Sequence, residues 1–73
     1  MLDGAKIRRL REQRQLSRDD IAYRARDLGL DVSRETIARI ENGRPGTVYL
    51  TTAYAIADVL GVTVDDLLRR QAS

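Results

Sequence analysis

The stretch that decides the fold is residues 32–43, which read VSRETIARIENG. Ser33 is a predicted N-cap, because its hydroxyl can accept a hydrogen bond from an amide in the first turn of a helix. The residues after it predict a helix from Arg34 to about Asn42. Gly43 can adopt the left-handed conformation that commonly ends a helix, so the helix has a defined start and a defined stop.

This helix has two different faces. Helical spacing places Ile37, Ile40 and Glu41 on one side. The other side carries Arg34, Glu35, Ala38 and Arg39. Guanidinium groups match guanine O6 and N7, a carboxylate can accept from cytosine N4, and a small apolar side chain can lie near a thymine methyl. We therefore predict that these four residues contact DNA bases. The alternative is an ordinary solvated helix in which Glu35 and Arg39 form an ion pair worth about 0.2–0.5 kcal/mol. The two interpretations are compatible, since the pair would also orient Arg39.

Apolar residues recur at helical spacing on both sides of this stretch. The pattern predicts an all-α fold, a compact five-helix bundle in which helices 2 and 3 form a helix-turn-helix. The other helices are predicted at about Gly4–Arg14, from Ser17 to near Leu28, from Leu50 to Leu60, and at about Val64–Arg70. The predicted inward residues of helix 2 are Ile21, Ala22, Ala25 and Leu28, with Leu30 beyond its end. Helix 4 is marked by Leu50, Ala53, Tyr54, Ala57 and Leu60.

Composition restricts the function. The chain has 73 residues, 42% hydrophobic and 33% charged, which fits one small globular domain spanning 1–73. It has no cysteine and no histidine, which excludes a disulfide scaffold, a Cys/His zinc site and catalysis by a thiol or an imidazole. We therefore expect no enzyme activity, no cofactor and no metal. The longest apolar run, residues 53–57, is too short to span a membrane, and the first residues lack a signal-peptide pattern, so we expect a cytoplasmic protein.

The charge is unevenly distributed. Residues 1–44 carry 11 basic against 8 acidic residues, a net of +3, whereas residues 45–73 carry 2 against 3, a net of −1. All the basic residues except Lys6 are arginine, whose guanidinium suits phosphates and guanine edges. A GC-rich genome would produce the same arginine bias, so composition alone does not establish a nucleic-acid partner.

An ordered set of short motifs is more specific than any of these features alone. The set comprises Leu16-Ser17, Ile21-Ala22, residues 32–43, Ile56-Ala57, Leu60-Gly61-Val62 and Leu67-Leu68. In this order it resembles the lambda-repressor-like helix-turn-helix family, also called the Cro or xenobiotic-response-element type, over roughly residues 5–69. The resemblance implies a sequence-specific regulator, a repressor, that inserts helix 3 in the major groove of double-stranded DNA.

The resemblance also implies roles for individual residues. Those expected to contact the DNA backbone are Ser17, Arg18, Ser33, Thr36, Asn42 and Arg44. Family members pair an arginine of helix 1 with the glutamate of the Glu-Asn-Gly motif, which here predicts a structural ion pair between Arg11 and Glu41. Family members often have glutamine where this chain has Arg18, so we expect Arg18 to contact phosphate without bracing helix 3. The connection between helices 2 and 3 is also longer than the family's usual turn, and a longer helix 2 would absorb the difference.

The sequence is compatible with two kinds of protein partner. A domain of this size covers one half-site, so we expect a homodimer, formed in solution or only on DNA, on a near-palindromic site. The candidates for the dimer surface are Tyr49, Tyr54, Leu67 and Leu68. The alternative is an antitoxin or accessory protein whose helix-turn-helix mainly binds a protein partner.

Overall fold

The computed structural model describes residues 2–44 and 48–68. In these ranges it contains four α-helices: α1 (Gly4–Gln13), α2 (Arg18–Asp27), α3 (Arg34–Glu41) and α4 (Leu50–Leu60). A single 3-10 turn, Asp65–Leu67, follows α4. None of the helices in the described ranges is long and apolar enough to cross a membrane. The all-α class predicted from the sequence is confirmed.

Side-chain caps begin the first three helices. Asp3, Ser17 and Ser33 each accept a hydrogen bond from the amide three residues later, at 3.2, 3.0 and 3.1 Å. Ser17 also donates its amide to Asp20 Oδ2 at 2.7 Å, which completes a capping box. These local bonds explain why the predicted starts of α1, α2 and α3 agree with the structure.

The predicted fifth helix is wrong. Thr63 and Asp66 do form the expected reciprocal cap, at 3.0 and 3.2 Å, but only the 3-10 turn follows it. The chain then becomes extended, because the Leu67 carbonyl accepts from the Asp3 amide at 2.7 Å and Leu68 forms an antiparallel bridge with residue 2. This pairing with the start of the chain replaces further helical turns. The rest of the predicted helix, 69–70, lies outside the described residues.

The core lies where α1, α2, α3, α4 and the 3-10 turn meet. Its buried apolar residues are Ile7, Ile21, Ala25, Val32, Ile37, Ile40, Ala53, Ala55, Ile56, Ala57, Leu60 and Leu67. The predicted inward residue Leu28 is exposed instead (45%). Two of the residues that mark helix 4 in the sequence, Leu50 (75%) and Tyr54 (56%), are also exposed. In α4 the buried residues include Ala55 and Ile56, whereas Leu50 and Tyr54 face outward.

The connection from α2 to α3 sets the entry into the helix-turn-helix. Helix α2 ends at Asp27, and Gly29 adopts a φ of 79°, which lets the Leu30 amide turn back to the Ala25 carbonyl at 3.0 Å. Leu30 then packs against the core and Val32 is buried. The longer helix 2 expected from the sequence is therefore present, whereas Leu28 points outward at its C-cap.

A glycine sets the distance between α1 and α3. Gly4 is buried at the start of α1, where a Cβ would collide with the backbone carbonyl oxygen of Ile40. The amino end of α1 therefore lies directly against the carboxyl end of α3. This close approach brings the arginines of α1 within reach of Glu41.

Candidate nucleic-acid interface

The side chains of α3 divide into a buried side, anchored in the core, and an exposed side that is free to meet a ligand. Ile37, Ile40 and Glu41 are buried, with exposures of 5% or less. Three of the predicted base-contacting residues are exposed, and the fourth is half-buried: Arg34, Glu35 and Arg39, and then Ala38. The arrangement presents two cations and one carboxylate on a helix whose opposite side is fixed in the core.

A chain of hydroxyl groups holds Arg39. The Ser33 and Thr36 hydroxyls lie 2.9 Å apart, and Thr36 Oγ1 accepts from Arg39 Nη2 at 3.2 Å. No ion pair joins Glu35 to Arg39 in the described part of the chain, so the pair that the alternative interpretation invoked is absent there. Arg39 is therefore oriented by a neutral partner.

Glu41 is the centre of an ion cluster with three arginines. Its side chain is fully buried, and it accepts from Arg11 Nε at 2.7 Å and from Arg11 Nη2 at 3.0 Å. Arg18 Nε donates to Glu41 Oε1 at 3.1 Å, and Arg8 Nε at 3.3 Å. We call these four residues the Glu41 cluster. It joins α1 and α2 to the last turn of α3.

Electrostatics in the Glu41 cluster favour the charged forms. Burial alone would raise the pKa of Glu41, but hydrogen bonds and charge from Arg11, with further bonds from Arg18 and Arg8, outweigh it and lower the pKa. The bond to Glu41 raises the pKa of Arg11, against the opposing effect of burial. Glu41 therefore stays ionised at neutral pH.

The position of Arg18 corrects the expectation from the sequence. Arg18 donates to Glu41 and so braces α3 from the first turn of α2, a role that was not expected from the sequence for arginine at this position. Its side chain remains 33% exposed. It borders a shallow surface depression lined by Arg11, Ser17, Arg18, Asp19 and Arg34. The same guanidinium can therefore brace α3 and face an anion outside.

The residues after α3 form a second exposed group. Asn42 Oδ1 accepts a hydrogen bond from Arg8, and the Arg44 amide donates to the Arg39 carbonyl at 2.8 Å. Gly43, with a φ of 76°, makes this turn possible. Arg39, Asn42 and Arg44 line a shallow depression. Two residues predicted to contact the backbone thus lie beside a residue predicted to contact bases.

The other predicted residues are distributed as follows. Ser17 and Ser33 are exposed, Thr36 is half-buried, and all three hydroxyls already take part in helix caps or in the hydroxyl chain. Tyr49, Tyr54 and Leu68 of the dimer candidates are exposed, by 69%, 56% and 38%. Leu67 is fully buried, so it belongs to the core and not to a dimer surface.

Sequence reasoning missed two members of the Glu41 cluster. Arg8 lies one helical turn before Arg11, and this spacing places both side chains on one face of α1. That spacing was an available signal. Arg18 gave no comparable signal, because its approach to Glu41 depends on how α2 packs against α3.

Comparison with known protein families identifies the chain as a helix-turn-helix protein. A model described as a helix-turn-helix domain matches residues 4–71. Comparisons with curated proteins and with solved structures find no match. The matched range includes all four helices, with α2 and α3 as consecutive helices joined by a turn. The chain belongs to the helix-turn-helix domain family.

Proposed function

We propose that this protein is a sequence-specific regulator of the lambda-repressor-like type, which acts as a repressor by binding double-stranded DNA. The family match supports a DNA-binding regulator, and the order of motifs supports the narrower type. In this proposal the protein acts in the cytoplasm and needs no catalytic step and no cofactor.

The observation that carries the proposal is the division of α3 into an anchored and a free side. A recognition helix must keep its orientation while polar side chains meet base edges in the major groove. Burial of Ile37 and Ile40, together with the Glu41 cluster, fixes the helix. Arg34 and Arg39 remain exposed on the opposite side, where their guanidinium forks match guanine O6 and N7.

Contacts with phosphates would come from both ends of α3. At its amino end, Ser33 caps the start of α3, and Ser17 and Arg18 lie at the nearby start of α2. The free amides and the positive dipole end at the start of a helix favour anions. At its carboxyl end Asn42 and Arg44 are exposed. These contacts supply affinity and register, whereas the base edges supply selectivity.

The proposal includes a homodimer on DNA. One recognition helix reads a single half-site, and two copies about 34 Å apart would read two half-sites on one side of the duplex. Tyr49, Tyr54 and Leu68 are the exposed candidates for the contact between copies. Measurement of stoichiometry on an inverted repeat and on a single half-site tests this part. One copy bound to each with equal affinity, without cooperativity, contradicts the dimer.

Selection of bound sequences from random duplex DNA tests the proposal as a whole. We expect enrichment of one sequence, arranged as an inverted repeat. Arg39→Ala should then weaken binding to that sequence by about 1–3 kcal/mol and relax selection at one or two base pairs. Arg44→Ala is the matched control, since loss of a phosphate contact lowers affinity on all sequences and reduces the salt slope by about one. Equal losses for Arg39→Ala on selected and random DNA would show that Arg39 does not read bases.

One observation favours the alternative, an antitoxin or accessory protein with a protein partner. Leu50 and Tyr54 lie one turn apart on α4, both more than half exposed. Tyr54 borders a mostly apolar depression that also includes Ala57, Val62 and Val64. Under this alternative the selection enriches no sequence, whereas Leu50→Ser and Tyr54→Ser abolish binding to the protein partner.

A further inference from the structure

The first residue of the recognition helix contacts a carboxylate on the neighbouring helix. Arg34 Nη1 lies 3.6 Å from Asp19 Oδ2, and the two side chains are 59% and 72% exposed. Asp19 lies in the first turn of α2 and Arg34 begins α3. The pair therefore links the two helices of the helix-turn-helix on their exposed side.

The contact uses only one edge of the guanidinium. Nη1 faces Asp19, and the structure gives Nε and Nη2 of Arg34 no hydrogen-bond partner in the described ranges. A guanidinium needs two neighbouring N–H groups to bind guanine O6 and N7 together. Arg34 can therefore keep its contact with Asp19 and still offer a two-donor edge to a base.

Arg34 differs in this respect from the other exposed arginine of α3. Arg39 is held by the neutral hydroxyl of Thr36, and no ion pair offsets its charge in the described part of the chain. The charge of Arg34 is partly cancelled by Asp19, which weakens its attraction to phosphates, present at every position of any duplex. The gain from a correctly placed guanine is retained, because it depends on the geometry of the donors.

We propose that Asp19 is a positioning residue that determines specificity: it orients Arg34 toward a guanine and suppresses contacts of Arg34 with phosphates of random DNA. This inference rests on the proposed function. Asp19 thus raises the ratio of specific to random affinity while adding no base contact of its own. The effect acts at the one or two base pairs that Arg34 reads.

The test compares Asp19→Asn with Asp27→Asn on the selected sequence and on random duplex, at several salt concentrations. Asp27 is the matched control, an exposed carboxylate at the other end of α2 with no ion pair in the described part of the chain. We expect Asp19→Asn to raise affinity for random duplex about two- to fivefold, the range set by an exposed ion pair. Its salt slope should steepen by up to about one. Affinity for the selected sequence should not rise, and selection should relax at the base pairs that Arg34 reads.

A second comparison separates positioning from net charge. In an Arg34→Gln background, Asp19→Asn should leave the ratio of specific to random affinity unchanged, because the residue that Asp19 positions is gone. The inference is overturned if Asp19→Asn and Asp27→Asn change both affinities alike, or if the ratio falls equally in the Arg34→Gln background. A wild-type protein that selects no sequence overturns the proposed function itself and this inference with it. A wild type that selects a sequence, with a ratio insensitive to Asp19→Asn, overturns this inference alone.

Discussion

The two ends of α3 carry the same kind of interaction in opposite settings. At the carboxyl end, Glu41 is fully buried and contacts three guanidinium groups at 2.7 to 3.3 Å. At the amino end, Arg34 contacts Asp19 at 3.6 Å, and both side chains are more than half exposed. One end is closed against the bundle, and the other is open to solvent.

The comparison shows that burial determines the structural role of an ion pair. The presence of the pair alone does not. Removal of one partner from a buried pair leaves an uncompensated charge in the core, which costs far more than loss of an exposed pair. The Glu41 cluster can therefore fix the orientation of α3. The exposed pair of Arg34 and Asp19 contributes little to stability. Mutations at the two ends of α3 can test this contrast.

The largest effect is expected for Glu41→Gln. The substitution keeps the size of the side chain but leaves Arg11, Arg18 and Arg8 without a counter-charge. We expect a loss of about 3–5 kcal/mol in the free energy of unfolding, measured by denaturant titration. The matched control is Glu35→Gln, an exposed change on the same helix that should alter stability by no more than about 0.5 kcal/mol. Similarly small stability changes for both variants would contradict the contrast between the two ends of α3.

Gly4→Ala tests whether close packing supports the buried end. A Cβ at Gly4 would collide with the Ile40 carbonyl oxygen and push α1 away from α3. We expect the protein to lose about 1–3 kcal/mol of stability, although alanine is the better helix former. Ala5→Gly, at the exposed neighbouring position, should cost only the helix-propensity difference of about 1 kcal/mol. A more stable Gly4→Ala variant would show that α1 and α3 do not meet at this glycine.

Acid should weaken the buried end selectively. The pKa of Glu41 is lowered in the folded state from its ordinary value of 4.5, so below that value the unfolded state binds more protons. Its contribution is therefore fully present above about pH 4.5 and is lost as the pH falls through the lowered pKa. Thermal unfolding between pH 6 and pH 2 should show this loss, and Glu41→Gln should flatten it. A smaller slope remains in that variant, because bonds to Ser17 also lower the pKa of Asp20. A wild-type profile as flat as that of Glu41→Gln would contradict the assignment.

The smallest effect on stability is expected for Asp19→Asn. The change removes the only ion pair at the exposed end of α3 in the described residues, but both partners remain well hydrated. We expect a stability change within about 0.5 kcal/mol by denaturant titration. A loss approaching that of Glu41→Gln would mean that the two ends are equivalent.

The sequence predicted those features that local chemistry determines. Ser17 and Ser33 fix helix starts through bonds to amides three residues away, and Gly29 ends α2 through its left-handed backbone. Such signals need only a few neighbouring residues. The inward position of Glu41 followed from helical spacing in the same way.

Features that depend on packing between distant segments were predicted less well. The fifth helix failed because Leu68 pairs with residue 2, which no local pattern reveals. The ion pair of Glu35 with Arg39, the alternative considered from the sequence, is absent from the described part of the chain, where Arg39 donates to Thr36 Oγ1. For Arg18, the expectation from the resemblance was wrong, because Arg18 donates to Glu41 and so links α2 to α3.

The hydrogen bond from the Asp3 amide to the Leu67 carbonyl makes Asp3 a reporter of cooperativity. This single amide can exchange with solvent only when the segment before α1 separates from the 3-10 turn near the other end of the described chain. Its protection against hydrogen exchange therefore measures whether both segments remain docked together. If Asp3 exchanges as slowly as the amide of Ile40 in the core, the bundle opens as one unit. Faster exchange at Asp3 would identify this junction as the first part of the molecule to open.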